Sequence, residues 1–528
     1  MKKYLISALL MWGVVSFAQA QQRSGGQGGA RQAGNPASAG APSAATKEEA
    51  PKMASTASRT IVPESAVVTN HTVTIKGKTI PYKATAGTLP VWDSEGKPIA
   101  GLFYTYYERS DVQNRDSRPL VISFNGGPGS ASVWMHIAYT GPVVLNIDDE
   151  GYPVQPYGYK ENENSILDVA DIVYIDPVNT GYSRSTGKDV PNSTFFGVRA
   201  DIRYLAEWIN TFVTRNNRWA SPKFLIGESY GTTRVSGLAL ELQSNQWMYL
   251  NGVILVSPTE LGINRGTVLD AALRWPYFSA TAWYHKVLPA DLQQKKLQDM
   301  LPEVESFTVN ELVPAIAKGG SLSDADKQKI AAKMARYSGL SEKVILQNNL
   351  DVSTNLFWKE LLRDKGFTVG RLDSRYRGID RADAGNGPDY NAELTSWLHS
   401  FTPAINMYIR NELNYKTDLK YNMFGPVNPW DNSGDRTGEN LRAAMAQNPY
   451  LHLMVQSGYF DGACDYFNAK YDMWQMDPSG KLKDRMTWEG YESGHMMYLR
   501  KPDLKTGNDH IRDFIKNALP KPGEPAKF

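Results

Sequence analysis

The stretch from residue 224 to residue 231 constrains the fold more than any other part of this sequence. It reads Phe-Leu-Ile-Gly-Glu-Ser-Tyr-Gly, so that an apolar, strand-like run enters a Gly-x-Ser-x-Gly motif, and a helical pattern follows over residues 233–242. The glycines are needed because a sharp strand-to-helix turn crowds the backbone around the serine. The N-terminus of the following helix favours negative charge that develops beside it. The pattern predicts that Ser229 is a nucleophile; an ordinary turn is the alternative.

Short apolar runs of the buried-strand type recur along the chain. They lie at residues 120–124, 172–175, 224–226, 253–256 and 451–455. Helical patterns, such as the one over 198–213, separate them, and two β-rich runs over 71–82 and 99–108 precede them, the first with a turn near Gly77. Strands that alternate with helices indicate a mainly parallel sheet with helices on both faces. Together with the serine motif, this pattern predicts the α/β-hydrolase fold.

Residues 262–420 interrupt this alternation. Apolar residues recur there at helical spacing over 291–300, 324–337 and 355–364, and the sequence shows no buried-strand run between them. We therefore predict a helical cap insertion within an α/β-hydrolase domain that spans residues 59–528.

The first residues carry the pattern of a secretory signal. Lys2 and Lys3 precede an apolar stretch over 4–17 and the small-residue sequence Ala-Gln-Ala at 18–20, which predicts a signal peptide over residues 1–20. An uncleaved membrane anchor is the alternative. Residues 21–58 are rich in Gly, Ala, Ser, Gln and Pro and lack aromatics, which predicts a disordered, low-complexity linker. We expect an exported protein, periplasmic or extracellular, from a bacterium.

Composition excludes several classes of protein. Cys464 is the one cysteine, so the chain cannot be stabilised by internal disulfides. The formal net charge is +2 without a long basic block, which gives no support for a nucleic-acid partner. No group of His, Asp and Glu has convincing metal-ligand spacing, so we expect neither a metal nor another cofactor. The sequence does not indicate an oligomeric state.

A serine nucleophile needs a base and an acid, which follow it along the chain in this fold, acid first. His495 lies in a small-residue loop after the strand-like residues 486–488, as expected of the base, whereas His452 lies inside an apolar strand and is expected in the core or beside the catalytic groups. Asp461 follows the strand at 451–455 and is the favoured acid. Asp465 is the rival.

An oxyanion hole in this fold uses the backbone N–H of the residue after the nucleophile, here Tyr230. A second N–H comes from a glycine-rich loop after an earlier strand. The sequence Asn-Gly-Gly-Pro-Gly at 125–129 follows such a strand, although a plain tight turn is the alternative.

These motifs resemble those of the serine carboxypeptidases of peptidase family S10. The resemblance rests on Asn-Gly-Gly-Pro-Gly at 125–129, Gly-Glu-Ser-Tyr at 227–230, Asp461 with a cysteine three residues on, and Gly-His-Met at 494–496, all in the family's order within residues 100–502. It implies a catalytic triad of Ser229, Asp461 and His495. It also implies an oxyanion hole formed by the backbone N–H groups of Gly127 and Tyr230.

The resemblance implies that the chain acts on peptides as a serine-type carboxypeptidase. Asn125, Gly126 and Glu228 would then hold the free carboxylate at the substrate's C-terminus. Glu228 donates a hydrogen bond to a carboxylate only when it is protonated; alternatively, Glu228 is a buried acid that braces the turn. An exported esterase or acyltransferase using the same triad is the second hypothesis, and a binding protein without activity is the third.

The sequence departs from the family pattern at three positions, one of which is Gly231 in place of the usual alanine, a change expected to be harmless. Well-studied members usually carry a glutamate two residues before a Gly-Pro pair, and here Tyr139 has that place before Gly141. A second shared proton is not available from a tyrosine there, and a lone carboxyl has no like charge beside it to raise its pKa. Ser130 replaces a cysteine that often follows the first motif, as expected of a relative without disulfides. Cys464 is expected to be a buried packing residue.

Overall fold

The apolar runs of the sequence form the centre of a ten-stranded sheet. The structure is a computed structural model that describes residues 59–187, 189–521, 523–525 and 527–528. The signal peptide and linker predicted over residues 1–58 lie outside the described residues.

The strands and helices follow one another along the chain in this order. The strands are β1 (Ser65–Ile75), β2 (Lys78–Trp92), β3 (Pro98–Arg109), β4 (Leu120–Phe124), β5 (Val143–Leu145), β6 (Tyr159–Glu161), β7 (Asp171–Ile175), β8 (Arg184–Ser185), β9 (Lys223–Glu228), β10 (Gly252–Val256), β11 (Thr368–Val369), β12 (Arg377–Gly378), β13 (His452–Gly458) and β14 (Met486–Tyr491). The α-helices are α1 (Val133–Ala138), α2 (Val198–Arg215), α3 (Tyr230–Asn245), α4 (Gly266–Leu273), α5 (Trp275–Tyr284), α6 (Ala290–Gln293), α7 (Leu297–Phe307), α8 (Val313–Lys318), α9 (Asp324–Ser338), α10 (Glu342–Gln347), α11 (Thr354–Glu360), α12 (Ala392–Met407), α13 (Thr437–Gln447), α14 (Tyr466–Met476) and α15 (Lys501–Ala518).

The strand order in the large sheet is β1-β2-β3-β7-β4-β9-β10-β13-β14, and β8 pairs with β3 beside this path. In this order, β7, β4, β9, β10, β13 and β14 run parallel to one another, whereas β1, β2 and β3 are antiparallel to their neighbours. The turn between β1 and β2 lies at Lys76 and Gly77, which agrees with the turn predicted near Gly77. The sequence therefore predicted the mainly parallel sheet correctly.

The two faces of the sheet carry separate apolar cores. Within β9, Phe224 and Ile226 belong to one core and Leu225 to the other, because successive side chains of a strand point to opposite faces. Helices α1, α12 and α15 contribute buried residues to the first core, and α2, α3 and α13 contribute to the second. This arrangement explains why the parallel strands read as continuous apolar runs.

The segment over residues 262–420 contains helices α4 to α12 and the two-stranded antiparallel sheet of β11 and β12. Helices α4 to α11 of this segment contribute to a third apolar core, in which Phe278 stacks on Phe357 at 3.9 Å between ring centroids. One helix expected over 291–300 is two helices, α6 and α7, because Lys296 has extended backbone angles before α7 begins.

The parallel strands end at the same edge of the sheet. Phe124 at the end of β4 pairs with Gly227, and Val256 at the end of β10 pairs with both Glu228 and Gln456. The loops that follow these strands therefore meet. Within the part of the chain that the structure describes, no helix is long and apolar enough to cross a membrane.

Candidate active site

Ser229 lies at the turn between β9 and α3, as the motif predicts. Its backbone angles, φ 57° and ψ −128°, are rare for a residue with a side chain and cost on the order of 1–3 kcal/mol. The amide of Ser229 donates a hydrogen bond to the carbonyl of Val256 at 3.0 Å, which fixes the turn to β10. A Cβ atom on Gly227 would lie 2.1 Å from the carbonyl oxygen of Gly231, so the turn requires glycine there. The half-buried serine is thus held at the carboxyl edge of the sheet.

Asp461 contacts His495 directly. Oδ2 of the fully buried aspartate lies 2.7 Å from Nδ1 of the imidazole, and Oδ1 accepts hydrogen bonds from the amides of Ala463 and Cys464 at 2.8 and 3.0 Å. Asp465 instead caps α14, since its Oδ1 accepts the N–H of Asn468 at 3.0 Å. The structure therefore brings Asp461, and not its rival, to the histidine.

The backbone of His495 is fixed on both sides. Its N–H donates to the carbonyl of Leu372 at 2.6 Å, and its own carbonyl accepts a hydrogen bond from the hydroxyl of Ser257 at 2.8 Å. Burial alone would lower the pKa of His495. The charge and the hydrogen bond of Asp461 oppose burial, and the pKa of His495 is raised overall. With Nδ1 bound to Asp461, Nε2 is the nitrogen that can accept a proton from a serine.

His452 does not lie where we expected it. It is the first residue of β13 and pairs with Gly252 at the start of β10. Because β10 ends at Val256 and β13 at Gly458, His452 lies at the opposite edge of the sheet from His495. Half-buried rather than in the core, it is too far along the strand to support the triad.

The loop at 125–129 packs against the start of α3. A Cβ atom on Gly126 would lie 2.4 Å from the amide nitrogen of Tyr230, so glycine alone permits this approach, and Gly127 has a φ of 105°. Neither the amide of Gly127 nor that of Tyr230 donates a hydrogen bond to another residue that the structure describes. Two N–H groups on neighbouring loops are therefore available to a negatively charged oxygen.

An arginine that the sequence analysis did not identify supports this loop. Arg234 donates hydrogen bonds to the carbonyls of Asn125 and Pro128 at 2.6 and 2.5 Å, and to Oδ2 of Asp201 at 2.6 Å. Both charged side chains are buried. The sequence does offer one indication of Arg234. It lies on α3 one turn before the buried Leu238, at a position where an apolar residue would be expected.

Glu228 is buried directly before the nucleophile. Nδ2 of Asn125 donates to its Oε1 at 3.0 Å, and the hydroxyl of Tyr498 donates to its Oε2. Burial raises the pKa of Glu228 to about 7, against the charge of His495 and the two hydrogen bonds, which lower it. With that pKa, the carboxyl is protonated in a large fraction of molecules near neutral pH. Tyr498 carried no sequence signal, because its partner lies 270 positions away.

Tyr139 supports this group and does not share a proton with it. Its hydroxyl donates to Oε1 of Gln456 at 2.7 Å, and its ring stacks on Tyr498 with centroids 4.6 Å apart and planes 13° from parallel. Position 139 carries no second carboxylate whose like charge could raise the pKa of Glu228. Burial is instead the largest cause of that raised pKa.

Cys464, expected as a buried packing residue, is half-buried and lies beside the triad. Its sulfur and the ligand atoms of Asp461 and His495 lie within 4.8 Å of one another, which makes them the one group of three potential metal ligands among the described residues. Loss of solvent raises the pKa of the thiol, so it remains protonated. Since two members form the acid–base pair, a metal bound there would compete with catalysis.

Comparisons with known proteins agree with the motifs. A family model described as serine carboxypeptidase, peptidase family S10, matches residues 75–489. Serine carboxypeptidase-like 31 of Arabidopsis thaliana is 25% identical over 222 residues, which cover 40% of this chain and 40% of that protein. Serine carboxypeptidase S10 family member 1 of Dictyostelium discoideum is 25% identical over 191 residues, covering 36% and 42% respectively. The chain spans less than half of the length of these curated relatives.

A solved structure gives the same fold. It is Kex1(delta)p, a prohormone-processing carboxypeptidase from Saccharomyces cerevisiae, which matches with a TM-score of 0.50 and 14% identity over 82% of this chain and 91% of that chain. At this identity the likeness concerns the fold alone. Because the family model matches well over half of its residues, the chain belongs to the serine carboxypeptidase family, peptidase family S10, and has the α/β-hydrolase fold.

Proposed function

We propose that this protein is a serine-type carboxypeptidase that releases C-terminal residues from peptides. The observation that carries the proposal is the buried carboxyl of Glu228, which precedes the nucleophile and is held by Asn125 and Tyr498. A protonated acid at that place can donate a hydrogen bond to a carboxylate, which recognition of an acyl group alone does not require. A free C-terminus, by contrast, presents a carboxylate beside the bond to be cut.

In the proposed reaction, Ser229 attacks the carbonyl of the last peptide bond while Nε2 of His495 takes its proton. Asp461 holds the imidazole in the correct tautomer and stabilises its charged form. The amides of Gly127 and Tyr230 donate to the oxyanion of the tetrahedral intermediate. His495 then gives its proton to the leaving amine, and water, activated by the same imidazole, hydrolyses the acyl-enzyme and restores the serine.

The terminal carboxylate would bind next to these groups. Three groups would donate hydrogen bonds to this carboxylate. They are the side-chain amide of Asn125, the backbone N–H of Gly126 and the protonated carboxyl of Glu228. A hydrogen bond between a carboxyl and a carboxylate is charge-assisted and therefore strong. This role requires the proton, so recognition of the free acid should weaken as Glu228 ionises.

The second candidate is an esterase or acyltransferase that uses the same triad. Tyr139 favours this alternative, because it removes one of the two acids that the family pattern provides for recognition of a carboxylate. In that case an alcohol, instead of water, would accept the acyl group.

The test compares a blocked peptide with a free C-terminus and the same peptide as its C-terminal amide. We expect the free acid to be cut much faster, and Ser229→Ala to lose labelling by a fluorophosphonate and nearly all turnover, by about 10⁴- to 10⁶-fold. Equal rates on the two peptides at every pH would contradict the carboxypeptidase and leave the second candidate. Undiminished labelling of the variant would mean that another serine is the nucleophile.

We also propose that the protein is exported, to the periplasm or the outside of a bacterial cell. The signal-like pattern over residues 1–20 supports this proposal. The mature protein should begin at Gln21, and mild proteolysis should remove residues up to about 58 without loss of activity. Intact Met1 on protein recovered from a membrane fraction would contradict it.

A further inference from the structure

Arg371 is a cation beside the triad that has no direct hydrogen-bond or ion-pair partner among the described residues. It is half-buried, yet its guanidinium forms no hydrogen bond or ion pair with any residue that the structure describes. Its neighbour Arg375, in contrast, is buried and paired with Asp373 at 2.6 Å. The charge of Arg371 acts on the buried carboxyl of Glu393 and lowers the pKa of that carboxyl, but no carboxylate among the described residues contacts the guanidinium directly. The guanidinium is therefore able to form an ion pair with a ligand of opposite charge.

The backbone at Arg371 is held between the two loops that carry the acid and the base. Its carbonyl accepts the N–H of Gly462, the residue after Asp461, at 2.9 Å. The carbonyl of the next residue, Leu372, accepts the N–H of His495 at 2.6 Å. The amide of Leu372 in turn donates to the buried carboxyl of Glu393 at 2.8 Å. The Cα atom of Arg371 is therefore fixed, and its side chain is the part of this segment that remains available to a ligand.

The charge of Arg371 reaches the triad. Burial is the largest influence on the pKa of His495 and on that of Cys464, and among the smaller influences the charge of Arg371 lowers both. The guanidinium therefore lies close enough to the base of the triad for its charge to act on His495.

We propose that Arg371 binds the carboxylate of an acidic substrate side chain, on a residue that flanks the bond to be cut. Aspartate or glutamate at that residue would then be preferred over asparagine or glutamine. The planar fork of a guanidinium binds a carboxylate through two parallel hydrogen bonds, which discriminates it from a neutral amide of the same shape. The inference rests on the proposed carboxypeptidase activity and adds a preference for substrate.

The experiment uses two series of blocked peptides with free C-termini. One series compares glutamate with glutamine as the last residue, and the other compares them as the residue before it. The wild-type protein, Arg371→Gln and Arg371→Lys are measured. Arg377→Gln is the control, because Arg377 is an exposed arginine of the same segment.

We expect the wild type to favour glutamate in one of the two series, and the series tells on which side of the bond the carboxylate binds. In Arg371→Gln the ratio of kcat/KM for glutamate over glutamine should fall about 10- to 100-fold. Arg371→Lys keeps the charge without the fork and should give an intermediate ratio that is more sensitive to salt. Arg377→Gln should keep the wild-type ratio.

A wild type that does not favour glutamate in either series would overturn the inference, as would a ratio that Arg371→Gln leaves unchanged. A fall confined to the ratio of free acid over amide would overturn it too, because Arg371 would then bind the main-chain carboxylate. Failure of the proposed activity is recognised separately, as equal rates on free-acid and amide forms of the glutamine peptides. Nitrophenyl esters of blocked glutamate and glutamine would still test the acyl side in that case.

Discussion

Nδ1 of His495 and Oδ2 of Asp461 lie 2.7 Å apart, although 34 positions separate the two residues in the chain. Parallel pairing of β13 with β14 brings them together, since each follows one of these strands at the same edge of the sheet. Asp465, only four residues further along, is directed into the first turn of α14. Which of the two aspartates contacts the histidine therefore depends on where β13 ends and where α14 begins.

Replacing Asp461 should therefore impair catalysis, whereas replacing Asp465 should affect stability. Asp461→Asn leaves the imidazole without the acceptor that fixes its tautomer, and kcat should fall by about 10⁴-fold with the fold intact. Asp465→Asn keeps an oxygen that caps α14, because asparagine caps about as well as aspartate, and loses only the contact of Oδ2 with Asn468. It should therefore cost less than the about 0.5–2 kcal/mol of unfolding free energy that loss of a whole cap costs. Measurements of kcat and of urea denaturation for both variants check this, and the reverse ranking of activities would make Asp465 the triad acid.

The preference for a free C-terminus should depend on the proton of Glu228. Burial raises the pKa of this carboxyl to about 7, so it is protonated at lower pH and loses its proton as the pH rises through that value. The free-acid preference should accordingly be greatest below pH 7 and decline above it. Glu228→Gln keeps a donor at every pH and should flatten the profile, with loss of a charge-assisted hydrogen bond lowering the rate on the free acid about 10- to 150-fold.

Rate–pH profiles on the free acid and the amide check this prediction, with ester hydrolysis as the control for an intact triad. A preference that declines with the same midpoint in Glu228→Gln would assign the pH dependence to another group.

Tyr498→Phe should move the same profile to higher pH. The tyrosine hydroxyl donates to Glu228 and lowers the pKa of the carboxyl, so its removal should raise that pKa further. Tyr139→Phe is the matched control, because it removes a buried hydroxyl that donates to Gln456 and leaves the ring on Tyr498. The control should lose about 1–3 kcal/mol of stability without a shift of the midpoint. A midpoint that moves to lower pH in Tyr498→Phe would contradict this account of the pKa.

The ion pair of Arg234 and Asp201 should stabilise both the fold and the proposed oxyanion loop. Arg234→Met leaves the buried carboxylate without its partner, which should cost about 3–5 kcal/mol of unfolding free energy. The double variant with Asp201→Leu removes that unpaired charge and should regain most of the stability. Its kcat should stay low, because the carbonyls of Asn125 and Pro128 still lack their donor. Full recovery of kcat in the double variant would show that the loop does not need Arg234.

The sequence by itself determined the parallel sheet and the places where chemistry could occur. Strand and helix patterns depend on local alternation and composition, and β4, β7, β9 and β10 begin within one residue of the predicted runs. The turn at Ser229 is equally local, because its glycines are needed for contacts within a few residues. A loop directly after a parallel strand has to lie at the carboxyl edge, so Asn125, Asp461 and His495 could be placed there before any coordinates were known.

Tertiary structure alone decided the contacts between distant segments. Asp461 and Asp465 are the same residue type in the same loop, and their roles differ through the direction in which the chain leaves β13. The environment of Glu228 depends on Tyr498, and that of Arg371 depends on the loops of Gly462 and His495, none of which local pattern predicts. The pKa of a buried carboxyl is raised because the whole fold removes water from it. Such burial depends on packing in three dimensions and not on neighbouring residues in the chain.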